Sequence, residues 1–462
     1  MSAPPLGGTD RSGPAAWPAG PVAQQRVVSF DGANILPTRL RRPDRLAAFR
    51  IGGGDEPVIA RGSGLSYVDA SFGQGVTSID LSAFDRITGF DAAARLVEVE
   101  AGVTLGALFQ FLLRHGCYLP VQPGYMAITV GGCIGADVHG KNPAQDGTFL
   151  GQVEALRLFH PDHGTIELSE TREPELFRAT CGGYGLTGLI LSARLRVTKL
   201  PGRQAEVSLI PAGSVREAAA LLGALPPDCA GAHSWHDFAR FDRRFGSGHV
   251  RILRFAAGAD DVAAALPRVS PLTPDRRRHL PVSLWNRWTA RAVNAAYASA
   301  HRADGAPKRA SLIEALFPVH GNEAYYFLFG RAGLYESQVI LPESAIEEYV
   351  AAIRHFAQDY GIAITLGSAK RFSGGNDLLR YDGTGISLAL NIARTRRAPD
   401  FLAQLDRIVI AAGGRPNLIK DSRLPRAVFE ATYPEADRFR ALLRGWDPKR
   451  RFRSGLAARL GL

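Results

Sequence analysis

The stretch "TVGGCIGADVHGKN", residues 129–142, packs four glycines into its length and ends on His139 and Lys141. Glycines crowd where a backbone turns sharply or comes close to a ligand. A histidine and a lysine beside such bare backbone point to an anionic ligand or to chemistry at its side. Two similar clusters flank it, "ARGSGLSY" at 60–67 and "CGGYGLTG" at 181–188, and each adjoins an apolar, strand-like run. Successive backbone N–H groups in turns of this kind make a concave anion site, typically for a diphosphate. One cluster alone serves an ordinary turn as readily; three within 130 residues argue for a ligand.

The common nucleotide motifs do not fit these letters. "GSGLSY" lacks the third glycine of G-x-G-x-x-G and no long helix pattern follows it, and no G-x-x-x-x-G-K-[ST] occurs. With 462 residues the chain exceeds one ordinary core, which predicts two domains. A hydrophobic share of 46% with 21% charged residues is that of a globular protein. No apolar run is long enough to span a membrane as a helix. Residues 1–22, rich in Pro, Gly and Ala, read as a flexible tail without a signal-peptide core. The four cysteines have no metal-binding spacing, so no metal site is expected and a reduced, intracellular chain is the simplest inference. The formal charge of +11 attracts anions: phosphorylated substrates, nucleic acid or an anionic lipid surface.

Residues 23–200 read as short strands with one clear helix, "LGALFQFLLRHG", closing on Gly116. After "KLPG" the grammar changes. A strand, the helix "VREAAALLGAL" and two more strands are followed later by "SQVILP", the helix "ESAIEEYVAAIRHFAQDYG", "AITLGSAKRF", "GISLALNIA" and the helix "PDFLAQLDRIVIAAGG". Such units form an antiparallel sheet with helices on one face. The expected class is α+β: a ligand-binding domain over 23–200, a substrate domain over 201–414, and a C-terminal return over 415–462.

The blocks "ARGSGLSY", "PGYMAITVGGCIGADVHGKN" and "GGYGLTG", with the tail "KDSR…YPEADRF…WDPKRRFRS", resemble the vanillyl-alcohol-oxidase-type (PCMH-type) FAD-binding oxidoreductases. Within them the resemblance is to the branch that oxidises lipid-linked sugars. It implies a two-domain PCMH-type fold, FAD as cofactor, and oxidation of a secondary sugar hydroxyl, the 2′-hydroxyl of a polyprenylphosphoryl ribose, to a keto sugar. A separate keto-reductase would complete an epimerisation. An aldonolactone or alditol oxidase acting on a soluble polyol, and an oxidase of a glycosylated metabolite, are the rivals within the fold. A basic binding protein without catalysis is the rival outside it, and would be colourless.

Carried over residue by residue, the resemblance makes Ala60, Arg61, Gly62, Ser63, Gly64, Leu65, Ser66 and Tyr67 contacts of the FAD diphosphate. Gly124, Thr129, Val130, Gly131, Gly132, Ala136, Asp137, Val138, His139, Gly140 and Asn142 line the flavin ring, and Ile190 and Asn417 complete the set. Many relatives attach FAD through a histidine of the first loop; Leu65 stands there, so a non-covalent flavin is expected. Lys420 is the expected base, because a lysine desolvated among other cations has a lowered pKa. Lys141 and Lys370 match lysines facing flavin and substrate, Gln338 matches a substrate-side glutamine, and Tyr67 and His139 adjoin them. Ser387 and Ala389 depart from the Asn and Cys often found in that branch. Trp235 either walls the site or fills a sheet core.

The basic segment 275–302 places Trp285, Trp288, Ala292 and Ala296 at helical spacing, with Arg287 and Arg291 nearer the other side. Such a helix either lies on an anionic membrane, which suits a lipid-linked substrate and a cytoplasmic protein peripheral to the inner membrane, or docks by its tryptophans onto the second domain. No RNP, helix-turn-helix or zinc pattern accompanies the charge, so nucleic acid is not an expected partner.

Overall fold

The computed structural model describes residues 22–49, 56–256, 280–320 and 322–462. Residues 1–21 and 257–279, which hold most of the expected tail and the start of the basic segment, lie outside the described residues.

Two small sheets form in the N-terminal part. One orders Val22–Val28, Ile35–Arg41, Thr77–Asp80 and Val58–Arg61, the last two pairings being parallel. The other is an antiparallel sheet of Ile87–Asp91, Leu96–Glu100, Leu189–Arg196, Val153–His160 and Gly164–Ser169. Against this sheet packs the helix Leu105–Arg114. Thr104 caps it by accepting from the N–H of Ala107, and Leu105, Leu108, Phe109 and Leu112 bury one stripe of it. Gly116, at φ +65°, follows its end in the left-handed conformation that glycine takes without strain.

The second architectural unit is one antiparallel sheet of eight strands, in the order Lys308–Ala310, Gln204–Ala212, Gly248–Ala256, Gly231–His236, Ile364–Ser373, Thr384–Ala393, Leu334–Leu341, Arg415–Pro416. Alternation along Thr384–Ala393 shows how it is used. Ile386, Leu388, Leu390 and Ile392 face a core shared with the helices Val215–Gly223, Ile346–Asp359 and Ala398–Ala411. Ser387, Ala389 and Asn391 point the other way, and the register puts Gln338 opposite Ala389 and Lys370 opposite Ser387. That face carries the site. The helices Arg426–Thr432, Ala436–Trp446 and Gly455–Leu460 pack around Ile59, Val68 and Tyr184 of the N-terminal part, and the N–H of Val58 donates to Arg451 O.

The basic helix differs from its expected face. It runs Arg287–Ala300 from a capping box at Asn286, and it buries Ala290 and Asn294. Trp285 is buried just ahead of the helix, whereas Trp288 is 74% exposed. Because Trp285 precedes the helical register, the stripe predicted from it is rotated. Asn294 Nδ2 then anchors the helix by donating to Asp237 Oδ1 at 2.9 Å.

Candidate active site

The first glycine loop leaves its backbone open. Among the described residues the N–H groups of Gly62, Ser63, Gly64, Leu65 and Ser66 make no hydrogen bond within the chain. Arg61 shapes this loop from inside: Nη1 donates to Ser71 Oγ at 2.8 Å, and a Cβ on Gly64 would lie 2.2 Å from its guanidinium. A Cβ on Gly62 would lie 2.2 Å from Thr129 Oγ1, so the first cluster is pressed against the start of the second. Thr129 caps the short helix Val130–Ala136 by accepting from the N–H of Gly132, and Gly131 lets that helix approach Ala101.

The third cluster does something else. Gly183 has no room for a Cβ, which would sit 2.0 Å from Ala179 O, and Gly188 abuts Phe159 O. Tyr184 and Gly182 donate their N–H groups to Gly135 O and Ile134 O. This cluster supports the helix of the second from beneath, and Ile190 beside it is a core residue.

Two residues expected at the flavin have their side chains occupied elsewhere. The Asp137 carboxylate, fully buried on a left-handed residue, accepts from the N–H of Leu150 and faces Arg380 at 3.6 Å; burial raises its pKa to about 6. Asn142 Nδ2 donates to Gln145 Oε1 and to Cys229 O. Both hold the turn that aims His139 and Lys141.

Past that turn a polar network meets the eight-stranded sheet. Asn417 Nδ2 donates to Gln338 Oε1 at 2.9 Å, which fixes the orientation of the amide. Gln338 Nε2 then donates to Ser387 Oγ and to His139 Nε2 at 3.1 and 3.2 Å. The imidazole proton is thereby assigned to Nδ1, which faces Gly140 O at 3.2 Å and Lys370 Nζ at 3.1 Å. Lys370 Nζ donates to the same carbonyl at 3.1 Å. With the Nδ1–H directed at the Gly140 carbonyl, the lone pair of an unprotonated Lys370 amine stays free to take a proton. Burial and then the Lys420 charge push Lys370 down to about 7, against an opposite pull from Glu336. Burial and Lys370 likewise hold His139 well below the usual histidine range.

The desolvated lysine among cations, expected at position 420, is found at 370. Lys420 Nζ lies 3.1 Å from Glu336 Oε1 and 3.9 Å from the centre of the Tyr67 ring, so its charge has both a carboxylate and an aromatic partner. Tyr67 is buried against Phe30 and meets Tyr326 hydroxyl to hydroxyl at 3.4 Å. Lys141 is buried too, and burial, then Lys370 and Arg251, push it well below the ordinary lysine range. Trp235 is a buried residue of the sheet face. It is 8% exposed, stacks on His249, and stands in the same row of the sheet face as Ser368, Ala389 and Gln338.

Sequence reasoning passed over Glu336, although it stands two residues before Gln338 and so shares its face. It also passed over Tyr381, whose hydroxyl lies 2.8 Å from Ser387 Oγ and completes the network that the serine at 387 makes possible.

Comparison with known sequences agrees with this geometry. An FAD binding domain profile matches residues 53–169. The chain is 32% identical over 422 residues to decaprenylphosphoryl-β-D-ribose oxidase of Mycolicibacterium smegmatis, covering 88% of this chain and 90% of that one. The chain belongs to the PCMH-type FAD-binding oxidoreductases. An uncharacterised Streptomyces coelicolor protein is 33% identical over 78% of this chain and all of its own length. L-Gulonolactone oxidase of mouse is 32% identical over 118 residues, 26% of this chain and 27% of its own.

As a member of this FAD-dependent family the chain has a donor set that fits the cofactor. The N–H groups of Gly62 to Ser66, unpaired among the described residues, suit a diphosphate, whereas Gly131 and Gly124 make room for Ala101 and Lys141. Lys141, Lys370 and Lys420, gathered on one side of this region, would lie on the side where a bound flavin gains electrons. Among the described residues no group of three or more His, Cys, Asp or Glu side chains is placed to hold a metal, and no helix is long and apolar enough to cross a membrane.

Proposed function

We propose that the chain oxidises a secondary hydroxyl of a sugar, specifically the 2′-hydroxyl of a polyprenylphosphoryl-β-D-ribose, to the 2-keto sugar. The observation that carries this reading is the buried amine of Lys370, which donates to the Gly140 carbonyl, lies 3.1 Å from His139 Nδ1 and is set beside an oriented Gln338 and two further lysines. FAD, when bound, supplies the two-electron acceptor for the hydride leaving the carbon. The residues do the rest. Lys370 Nζ, its pKa pushed down to about 7 by burial, accepts the hydroxyl proton. His139 and the Gly140 carbonyl hold that amine in place. Gln338, pinned by Asn417 and Ser387, orients the sugar, and the Lys420 ammonium faces it across Tyr67.

Likeness to the decaprenylphosphoryl-ribose oxidase along 88% of the chain supports the lipid-linked sugar over a soluble lactone, for which the likeness stops at 26%. A keto sugar made in this way needs a second enzyme, a reductase, to complete the epimerisation. Exposed Val282, Leu284, Trp288 and Val293 around Arg287 and Arg291 support peripheral contact with the membrane that would hold the lipid. The test is anaerobic bleaching of the flavin in the purified protein. Farnesylphosphoryl-β-D-ribose is expected to bleach it, while L-gulono-1,4-lactone and xylitol are not; bleaching by the lactone or polyol alone would overturn the assignment.

A further inference from the structure

The positive charge on the sheet face does not end at the flavin-side lysines. Beyond Lys370, one strand away from Gln338's side, lies Gly231–His236; one strand further lies Gly248–Ala256. His233 is paired directly with Arg251, and Trp235 with His249 and Ser368, so His233 and Arg251 share the face that carries Lys370. Neighbouring strands are about 4.8 Å apart, which makes Lys370, His233 and Arg251 a row about 10 Å long.

Lys141 is built into the same corner. Its carbonyl accepts from the N–H of Ala232 at 2.9 Å. Its stem crosses Gly231, where a Cβ would lie 2.7 Å from Lys141 Cβ, and its ammonium would lie 3.1 Å from a Cβ on Gly124. Two glycines thus make room for one buried lysine.

The lysine and the arginine lack counter-charges, while burial and the surrounding cations hold the His233 pKa well below the usual histidine range, so that it offers a neutral imidazole N–H. Among the described residues none of Lys141, His233 and Arg251 forms an ion pair with a carboxylate. Arg251 donates to the backbone carbonyls of Ala315 and Glu314 at 3.3 and 3.4 Å, while the Glu314 carboxylate caps its own helix through Ser311. Glu314 and Tyr297 act on Arg251 only through space. The charges felt by Lys141 come from Lys370 and Arg251, and those felt by His233 from Arg251, Lys141, Lys370 and His249. Like charges gathered in a partly buried corner repel, and a bound anion relieves that cost.

We propose that Lys141, His233 and Arg251 form the anion subsite of the active site, which takes a phosphate group attached to the sugar while Gln338 and Lys370 take the hydroxyl to be oxidised. The inference rests on the sugar-oxidase reading and adds to it the residues that select a phosphorylated substrate over a neutral one. The row leads away from the Gln338–His139 network, so one end of the substrate is read by charge and the other by the amide and the amine. The phosphate is shared by a soluble sugar phosphate and a lipid-linked one.

The experiment uses the oxidised, flavin-loaded protein and calorimetric binding of ribose, ribose 5-phosphate and farnesylphosphoryl-β-D-ribose, with inorganic phosphate as competitor. Both phosphorylated compounds are expected to bind at least tenfold tighter than ribose, and inorganic phosphate to displace them. The tighter of the two identifies the source of the phosphate. Arg251→Gln is expected to weaken them at least tenfold with flavin content unchanged, and Arg251→Lys, which keeps the charge, to restore most of the affinity. Equal binding of ribose and its phosphate, indifference to Arg251→Gln, or loss of flavin from that variant would overturn the proposal, the last because the cations would then serve the cofactor. Absence of flavin from the native protein would instead defeat the oxidase reading itself.

Discussion

The two halves of this site bind by different means. The N-terminal half offers backbone: among the described residues, five consecutive N–H groups at Gly62 to Ser66 have no hydrogen-bond partner. The eight-stranded sheet offers side chains: Lys370, Gln338, Glu336, His233 and Arg251, each placed by strand register. In the proposed site the backbone half would recognise the cofactor by shape and N–H direction, and a Cβ at Gly62 or Gly64 would collide with Thr129 or Arg61. The side-chain half sets protonation and charge, which tolerates small changes of shape but not of chemistry. Damage to one half should empty the site; damage to the other should leave it loaded and idle.

The largest expected effect lies in the side-chain half. Lys370→Met removes the proton acceptor, and the rate of anaerobic flavin reduction by substrate should fall by about 10²–10⁴-fold, the usual worth of a general base. The flavin spectrum of this variant should match that of the native protein. If Lys420→Met instead shows the greater loss, the proton belongs to position 420 and the division of roles between the two lysines is reversed.

Gly62→Ala is the matching break in the backbone half. Its Cβ would meet Thr129 Oγ1 at 2.2 Å, so the loop must move away from the second cluster. Flavin affinity should drop by about tenfold or more, a cost of about 1.4 kcal/mol, read as the ratio of flavin to protein after dialysis. Gly183→Ala sharpens the contrast, because this glycine meets only protein, at Ala179 O. It should lower unfolding stability by about 1–3 kcal/mol in a denaturant titration, while flavin affinity in the folded fraction stays unchanged.

The smallest effect is a shift of a pH limb. Lys420 lowers the Lys370 pKa and Glu336 raises it, so Lys420→Met removes the former and frees the latter from its ion pair. Both changes raise the Lys370 pKa, and the pH at which kcat/KM reaches half its plateau should move upward.

Much of the backbone half was legible in the sequence because its signal is composition at fixed spacing: glycines beside strand-like runs. What the letters could not distinguish is a glycine that faces a ligand from one that faces a carbonyl. For that reason the letters do not tell the cluster at 181–188, which supports the second cluster, from a ligand loop, nor show that the Asp137 side chain braces Leu150 and Arg380. The side-chain half was legible only in pieces. Gln338 and Lys370 were singled out by resemblance, and alternation along "YESQ" would have given Glu336. The pairing of His233 with Arg251 depends on register between strands, which periodicity within one strand does not reveal. At the basic helix Trp285 stands two residues before the first helical residue, ahead of the Asn286 cap, so a stripe in register with it faces solvent.

The proposed chemistry turns on the protonation state of one amine. The most direct measurement is the rate of anaerobic flavin bleaching by farnesylphosphoryl-β-D-ribose across pH 5.5–9 (about the range over which a base near neutrality titrates). The Lys370 amine, pushed down to about 7, gains its lone pair as the pH rises, so the limiting rate should climb by about tenfold per unit below neutrality and level off above it. A rate flat across that range, or one that keeps its acidic limb in Lys370→Met, would contradict it.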